Sequence, residues 1–355
     1  MADNTITHEF MGFLKGHGGM VTSIISGNSV QEGQEDSSVV VSGSRDKSII
    51  LWQIEGQNNE TRQYGRPLKS LTGHHHFVTD LCLTNDDSYL ISSSWDKSMR
   101  LWNMKTCETK ALFQSNNKEI NTVCFSKDNR YIFSGGCENQ MMLWNTKGQK
   151  KADSVQENHH DWVSRVRFSP SMKHSYFASA GWDGRVKIWN GHFVNNGYFQ
   201  AHNAPIYALA IANNGTFIAT GSKDQTVRLF NINQSTDAVA TYECGSVVND
   251  VAFNPMFRML AAATDDAIMV WDITQFDSSE VMLSIPPEKE EVDDDEDEDL
   301  DNEEEETEEQ RKEELETQKG PKTRFTSMAW STSGKFLYAG CSDGNIQVFK
   351  IEHPN

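Results

Sequence analysis

Four histidines, each matched by spacing to the aspartate of a later turn, are the residues of this chain with the clearest chemical potential. His–Asp pairs can relay protons or bind metals, so catalysis and metal binding are the first functions to weigh. The pairs recur along the chain, however, and an active site does not repeat in this way. A structural role is favoured, in which each imidazole bridges the carboxylate to a Ser or Thr, and onward to an indole N–H. The predicted sets are His17, Asp46 and Trp52; His74, Asp96 and Trp102; His159, Asp183 and Trp189; and His202 and Asp224, with Phe230 replacing the Trp.

The spacing of acidic and aromatic residues predicts the fold. Seven times an Asp or Glu stands six positions before a Trp or Phe that closes an apolar run, with a period of about 40 to 45 residues. Each period contains segments of alternating apolar residues typical of strands. The chain is therefore predicted to be all-β, a single seven-bladed WD40 β-propeller over residues 1–355. The alternation from His8 to Leu14 predicts an N-terminal strand that closes the last blade.

Negative charge is concentrated in one segment. Residues 288 to 316 hold 20 Asp and Glu against 3 Lys and Arg, or −17 of the formal net charge of −19, which leaves −2 for the remainder. The interval from Trp271 to Phe349 is almost twice the usual one, so residues 278–322 are interpreted as a disordered acidic insertion between blades six and seven. A solvated loop is the simplest interpretation. Binding of basic proteins, or weak competition with RNA for nearby cations, are the alternatives.

The sequence disfavours several functional classes. No apolar run is long enough to cross a bilayer, so no membrane partner is expected and a cytoplasmic location is predicted. The six cysteines lack C-x-x-C spacing and are interpreted as core residues. No glycine-rich phosphate loop, nucleophile elbow or cluster of metal ligands is present. We therefore predict no enzyme activity, no cofactor, no metal and no small-molecule substrate.

Basic residues gather at the turns of the first two blades. Arg45 and Lys47 flank a structural aspartate, Lys97 occupies the equivalent turn of blade two, and Lys15 and Lys69 lie in neighbouring segments. Such a cationic strip predicts phosphate or nucleic-acid binding. Lysine at a solvated turn is also ordinary, so an unremarkable solvated surface is the alternative.

Two tryptophans stand directly before turn aspartates. Trp95 and Trp182 are interpreted either as exposed aromatics of a partner surface or as residues that pack on the next blade. The spacing alone leaves both interpretations open.

The segments SGSRDKSIILW, YGRPLKSLTGHHHFVTD, SSSWDKSMRLW and AGWDGRVKIW resemble the receptor for activated C-kinase family, the propeller proteins of the small ribosomal subunit. The resemblance extends over essentially all seven blades. It implies a scaffold docked on the head of the small subunit near the mRNA exit, which recruits protein kinases and other signalling proteins and regulates translation. It implies contacts with rRNA and ribosomal proteins for Arg45, Lys47, Lys69 and Lys97, and it makes Tyr64 a possible phosphorylation site.

The chain departs from the family pattern at the turn of blade three, where Cys137-Glu138-Asn139 replaces the usual Arg-Asp-Lys, and in the acidic insertion. The sequence therefore leaves open whether blade three makes the contacts that use those cations. A WD40 adaptor for basic protein tails, such as a histone-binding protein or a ubiquitin-ligase substrate receptor, is the alternative function.

Overall fold

Alternation of apolar and polar residues in each repeat produces four-stranded antiparallel sheets arranged as blades. The computed structural model describes residues 6–28, 38–56, 61–114, 118–153, 158–171, 173, 175–191, 193–234, 237–274, 280–283 and 323–352. Within these residues, all 28 elements are β-strands and no α-helix occurs. The predicted all-β propeller with seven repeats is confirmed.

The strands follow one another in the same order in every blade, from the inner strand at the central channel to the outer strand at the rim. Blade one contains β2 (Val21–Asn28), β3 (Ser38–Ser44), β4 (Ile49–Ile54) and β5 (Gln63–Leu71). Blade two contains β6 (Val78–Leu83), β7 (Tyr89–Ser94), β8 (Ser98–Asn103) and β9 (Glu108–Gln114). Blade three contains β10 (Ile120–Phe125), β11 (Tyr131–Gly136), β12 (Met141–Asn145) and β13 (Lys150–Asp153). Blade four contains β14 (Val163–Phe168), β15 (Tyr176–Gly181), β16 (Arg185–Asn190) and β17 (Asn195–Gln200).

The remaining blades keep this order, and the last takes one strand from the other end of the chain. Blade five contains β18 (Ile206–Ile211), β19 (Phe217–Ser222), β20 (Thr226–Asn231) and β21 (Ala238–Glu243). Blade six contains β22 (Val248–Phe253), β23 (Met259–Thr264), β24 (Ile268–Asp272) and β25 (Glu280–Leu283). Blade seven contains β26 (Phe325–Trp330), β27 (Phe336–Cys341), β28 (Ile346–Glu352) and β1 (Thr7–Leu14).

The N-terminal strand closes the ring, as predicted. β1 pairs antiparallel with β28, where Phe10 stands opposite Phe349 and Leu14 opposite Ile346. The rings of Phe10 and Phe349 meet edge to face with centroids 5.6 Å apart. β1 also pairs in parallel with β5 at two positions, so that blades one and seven form one eight-stranded sheet. The closure removes an exposed sheet edge at the point where the two ends of the chain meet.

The signature aromatics pack between blades. Trp102 of blade two belongs to a cluster with Val41 and Leu51 of blade one, and Trp52 belongs to one with Val348 of blade seven. Both indoles are 2% exposed. Burial of a large aromatic side chain contributes roughly 2 to 3 kcal/mol, so each repeat stabilises its contact with the preceding one.

The boundary of the acidic insertion needs a correction. The sequence suggested Ser278 as its start, but Glu280–Leu283 pairs with β24 as the outer strand of blade six. The interblade segment therefore starts after Leu283. Residues 284–322, which hold all of its acidic core, lie outside the described residues.

Candidate functional site

The upper face, defined here as the face with the loops before the inner strands and the turns between second and third strands, carries the candidate site. Loop and turn meet there in blades one and two. The backbone N–H of Gly18, in the loop before β2, donates to Asp46 Oδ2 in the turn after β3 at 3.0 Å. His75 N makes the equivalent bond to Asp96 Oδ2 at 3.0 Å in blade two. The turn side chains therefore share a face with the loops.

A chain of hydrogen bonds runs from the turn of blade one into its core. Nδ1 of His17 lies 2.8 Å from Asp46 Oδ2, and its Nε2 lies 2.7 Å from Ser42 Oγ. The indole Nε1 of Trp52 donates to the same hydroxyl at 2.7 Å. The backbone N–H and hydroxyl of Ser48 donate to Asp46 Oδ1 at 2.8 and 2.6 Å. Both ring nitrogens of the imidazole and both carboxylate oxygens thus have structural partners.

Blades two, four and five repeat this arrangement, with the contacts expected from the sequence. Their histidines are buried, between 1% and 6% exposed. The hydroxyls that these imidazoles reach, on Ser92, Ser179 and Thr220, are 0% exposed, so a substrate has no access to them. The Nδ1-to-carboxylate and Nε2-to-hydroxyl distances are 2.8 and 2.7 Å for His74 with Asp96 and Ser92, 3.1 and 2.8 Å for His159 with Asp183 and Ser179, and 2.8 and 2.8 Å for His202 with Asp224 and Thr220.

Burial and hydrogen bonding act in opposite directions on the turn carboxyls. Burial alone would raise the pKa of Asp46, but the hydrogen bonds from His17 and Ser48 outweigh it and hold the pKa well below its ordinary range. The carboxylates are therefore ionised at neutral pH and act as acceptors. The same balance lowers the pKa of the other three turn carboxyls, to about 2 for Asp183, and in the same direction for Asp96 and Asp224.

Blades three, six and seven lack the histidine. In blade three, Trp144 still donates to Ser134 Oγ at 2.9 Å, and the turn residue is Glu138. The signature aromatics remain buried, with Trp144 3%, Trp271 1% and Phe349 0% exposed. Apolar packing therefore holds these blades together without the histidine network.

Four of the five basic residues predicted to form a strip lie on the upper face of blades one and two. Lys47 and Lys97 occupy equivalent positions directly after the turn aspartates, with φ of 73° and 68°. Lys15 lies in the exposed loop before β2. Arg45 is also exposed, and its Cζ lies 5.3 Å from the ring centroid of Phe77 in blade two. None of the four cations forms an ion pair with a carboxylate of the described residues.

Lys69 and Tyr64 lie elsewhere in blade one. Lys69 is exposed on β5 opposite Leu51, at the rim of the blade and not on the upper face. Tyr64, on the same strand, is only 6% exposed, and its ring centroid lies 5.8 Å from that of Phe336 in blade seven. The structure thus corrects the expectation that Tyr64 is presented for phosphorylation, because its ring is packed where the two blades meet.

Aromatic side chains surround the mouth of the central channel on the upper face. Trp95 donates from Nε1 to Asn121 Oδ1 of blade three at 3.1 Å, and Trp182 packs edge to face on Tyr207 of blade five at 5.9 Å. Both tryptophans therefore pack on the next blade, yet both are only half-buried and line the mouth. The cavity at this mouth, about 370 Å³ in volume, also contacts Phe77 and Trp162.

Sequence reasoning missed a set of charges inside the channel. Asp80 on β6 is fully buried and accepts two hydrogen bonds from the guanidinium of Arg167 on β14, at 2.8 and 3.1 Å. Thr122 Oγ1 donates to it at 2.7 Å. Burial would raise the pKa of Asp80, but Arg167 outweighs this and lowers it. The available signal was a charged residue at the third position of the inner strand VTDLCL.

The described ranges also bear on metal binding, membrane insertion and thiol chemistry. No group of three or more His, Cys, Asp or Glu side chains there could hold a metal ion. None of the described segments forms a helix that could span a membrane. All six cysteines are free thiols, four buried and two half-buried, as expected for core residues.

Seven segments of the chain match the family model described as "WD domain, G-beta repeat", at residues 8–53, 65–103, 107–145, 152–190, 194–231, 237–272 and 312–350. The chain is 35% identical over 343 residues to "Cross-pathway control WD-repeat protein 2" of Flammulina velutipes, covering 96% of this chain and 97% of the relative. It is 34% identical over 345 residues to "Small ribosomal subunit protein RACK1" of Caenorhabditis elegans, covering 96% and 95%. Identity to the protein of the same name in Drosophila melanogaster is 33% over 348 residues, covering 97% and 98%.

Proposed function

Because the chain belongs to the WD-repeat family that includes the small ribosomal subunit protein RACK1, we propose that it is a non-enzymatic scaffold of the small ribosomal subunit. In this proposal it works in the cytoplasm, docked on the head of the subunit near the mRNA exit. Its partners are rRNA and ribosomal proteins. The match over nearly the full length of these relatives supports a shared role.

The observation that carries the docking proposal is the turn of blade one. Asp46 accepts hydrogen bonds from its own blade and fixes the backbone, while Arg45 and Lys47 on either side of it are exposed. Arginine binds phosphate oxygens through two parallel N–H groups, and lysine adds a point charge. Since neither side chain is paired with a carboxylate of the described residues, binding to rRNA phosphate breaks no ion pair there.

The same proposal includes recruitment of protein kinases and other signalling proteins and an effect on translation. Docking through blades one and two leaves the rims of blades three to six and the face opposite the upper face available. Exposed apolar side chains suited to protein contacts lie in that region, including Tyr198, Met256 and Met282, which are 57%, 68% and 55% exposed.

Charge reversal at the turn tests the docking. The double variant Arg45→Asp and Lys47→Glu should be released from small subunits in a sedimentation assay, while its thermal unfolding stays close to that of the parent. If each side chain contacts one phosphate, the variant should lose about one unit of log–log salt slope per contact. The matched control reverses Arg130 and Lys335, which are exposed in turns on the opposite face.

The control should sediment with small subunits as the parent does. A folded double variant at Arg45 and Lys47 that still co-sediments would refute the assigned surface. Absence of co-sedimentation by the parent protein would refute the ribosomal role and would favour an adaptor that binds basic protein tails.

A further inference from the structure

The mouth of the channel on the upper face is a cavity lined by all seven blades. Three arginines reach it, Arg45 from blade one, Arg165 from blade four and Arg324 from blade seven, against the single carboxylate of Asp265 among its lining residues. The mouth is therefore cationic. The second residue of every inner strand also contributes to the lining, as Thr22, Thr79, Asn121, Ser164, Tyr207, Asn249 and Thr326.

Arg165 is the arginine that reaches deepest. It lines both the upper mouth and the cavity of about 480 Å³ below it, so it lies between the two. Its Nε is buried with no hydrogen-bond partner, and its guanidinium forms no hydrogen bond or ion pair with the residues that the structure describes. Asp80 and Asp250 interact with it electrostatically but not within hydrogen-bonding distance. A buried donor left without a partner is unfavourable, and a ligand acceptor would relieve this.

Arg167 on the same strand, unlike Arg165, has a carboxylate partner in the channel. Two residues further along β14, Arg167 donates through both terminal nitrogens to Asp80, as described above. Asp80 also accepts from Thr122 Oγ1 and the backbone N–H of Val123. Both carboxylate oxygens of Asp80 are thus occupied. The guanidinium N–H groups of Arg165 remain available to a ligand that enters from the mouth.

Aromatic rings form the walls above Arg165. Trp162 and Trp182 pack on each other with ring centroids 4.5 Å apart and planes inclined by 32°, and Phe77 and Trp95 have centroids 5.8 Å apart and an inclination of 36°, so each ring has an aromatic neighbour on one side. An RNA base requires an open ring face for stacking, and its phosphate is part of the backbone. An Asp or Glu side chain, in contrast, is narrow enough to carry its carboxylate past the rings to Arg165.

We propose that the upper mouth of the channel binds an acidic peptide segment of a partner protein, with one carboxylate paired to Arg165 and a neighbouring apolar side chain against the tryptophans. Arg324, exposed at the entrance, binds a second acidic residue of the same segment. Three arginines opposed by Asp265 favour an anionic segment over a neutral one. The site shares Arg45 with the proposed docking surface, but its test depends on Arg165 of blade four and Arg324 of blade seven.

Fluorescence anisotropy with the full-length protein tests the site. The probe is a labelled peptide in which Asp and Glu alternate with Leu and Phe, and the control probe has Asn and Gln in place of the acidic residues. The acidic peptide should bind at least about tenfold more tightly than its amide counterpart. Arg165→Gln should weaken binding by about tenfold and Arg324→Gln by severalfold, since both remove a charged donor. Arg130→Gln, on the opposite face, should leave the affinity unchanged.

Thermal unfolding of each variant shows whether it is folded, and Arg324→Gln serves as the test if Arg165→Gln does not fold. Equal affinity for the two peptides, or full affinity of both folded arginine variants, would overturn the proposal. Binding of a labelled oligouridine that requires Arg165, without binding of the peptide, would also overturn the proposal. Peptide binding that appears only after residues 288 to 316 are replaced by a neutral linker would show that the chain's own acidic segment is the occupant. None of these results bears on docking through Arg45 and Lys47.

Discussion

Blades one, two, four and five and blades three, six and seven have the same four-stranded form with different interiors. In the first group a histidine connects the turn aspartate to the second strand, as His17 does between Asp46 and Ser42. In the second group the aromatic residue is just as buried without that histidine, as for Trp144. The aromatic contact between blades is therefore what the fold requires. The polar network instead fixes the turn, and the turns fixed in blades one and two carry the exposed cations.

Removal of β1 should give the largest loss of stability, because blade seven has no histidine network and depends on apolar closure. Deleting residues 1–14 uncovers the edge of β28 and removes the fully buried Leu14 and the contact of Phe10 with Phe349. The loss should exceed the roughly 0.5 to 3 kcal/mol typical of single substitutions. Thermal unfolding and light scattering should show a lower midpoint and self-association. A truncated protein as stable and monomeric as the parent would remove the distinction between the two groups of blades.

Loss of the turn carboxylate should distinguish the stability of the two groups of blades more directly. Asp96→Ala leaves His74 Nδ1 and Ser98 Oγ without their acceptor at a side chain only 7% exposed, which should destabilise the protein by about 2 to 4 kcal/mol. Asp343→Ala, at the matched and exposed turn of blade seven, removes the hydrogen bonds from the backbone and side chain of Asn345 and should lose less than about 1 kcal/mol. Urea unfolding of both variants measures the difference, and equal losses would contradict the comparison.

Acid should selectively reduce the stability of the blades that contain the His–Asp hydrogen bonds. The pKa of Asp183 is lowered from 3.8 to about 2 in the folded protein, so its stabilisation is fully present above about pH 4 and is lost as the pH falls towards 2. Asp183→Asn should therefore be about 1 to 2 kcal/mol less stable than the parent at pH 6, with the gap narrowing below pH 4. Urea unfolding across this range measures the gap, and a constant gap for Asp183→Asn would count against its network role.

A second titration should act at milder acidity. Burial lowers the pKa of His202 below its ordinary 6.5, although Asp224 opposes this. The unfolded chain then takes up a proton more readily than the folded one, so this contribution is present above about pH 6.5 and declines as the pH falls below it. The imidazole of His202 and the turn carboxyls therefore both lose their stabilising contribution as the pH falls, and the two losses in stability add.

Recurring features of the sequence could be predicted, and features that depend on distant partners could not. The hydrogen bonds of His17 and Asp46 could be predicted because the same residues recur at the same spacing in other blades. Strand β1 could be predicted from its alternation of polar and apolar residues. The burial of Tyr64 depends on Phe336 of blade seven, far away in the sequence. Likewise, the choice of Arg167 and not Arg165 as the partner of Asp80 is decided across the channel, where no local pattern records it.

The pairing of β1 with β28 also sets the order in which the protein can be completed during synthesis. Leu14 leaves the ribosome first, but its partner Ile346 is made 332 residues later. At roughly 5 to 20 residues per second, the first strand waits about 20 to 70 s for the last one. During that interval six blades can form in sequence while the ring stays open, and pairing of β28 with β1 is the event that locks it. A nascent chain interrupted before β28 would therefore hold correctly folded blades and still lack a closed ring.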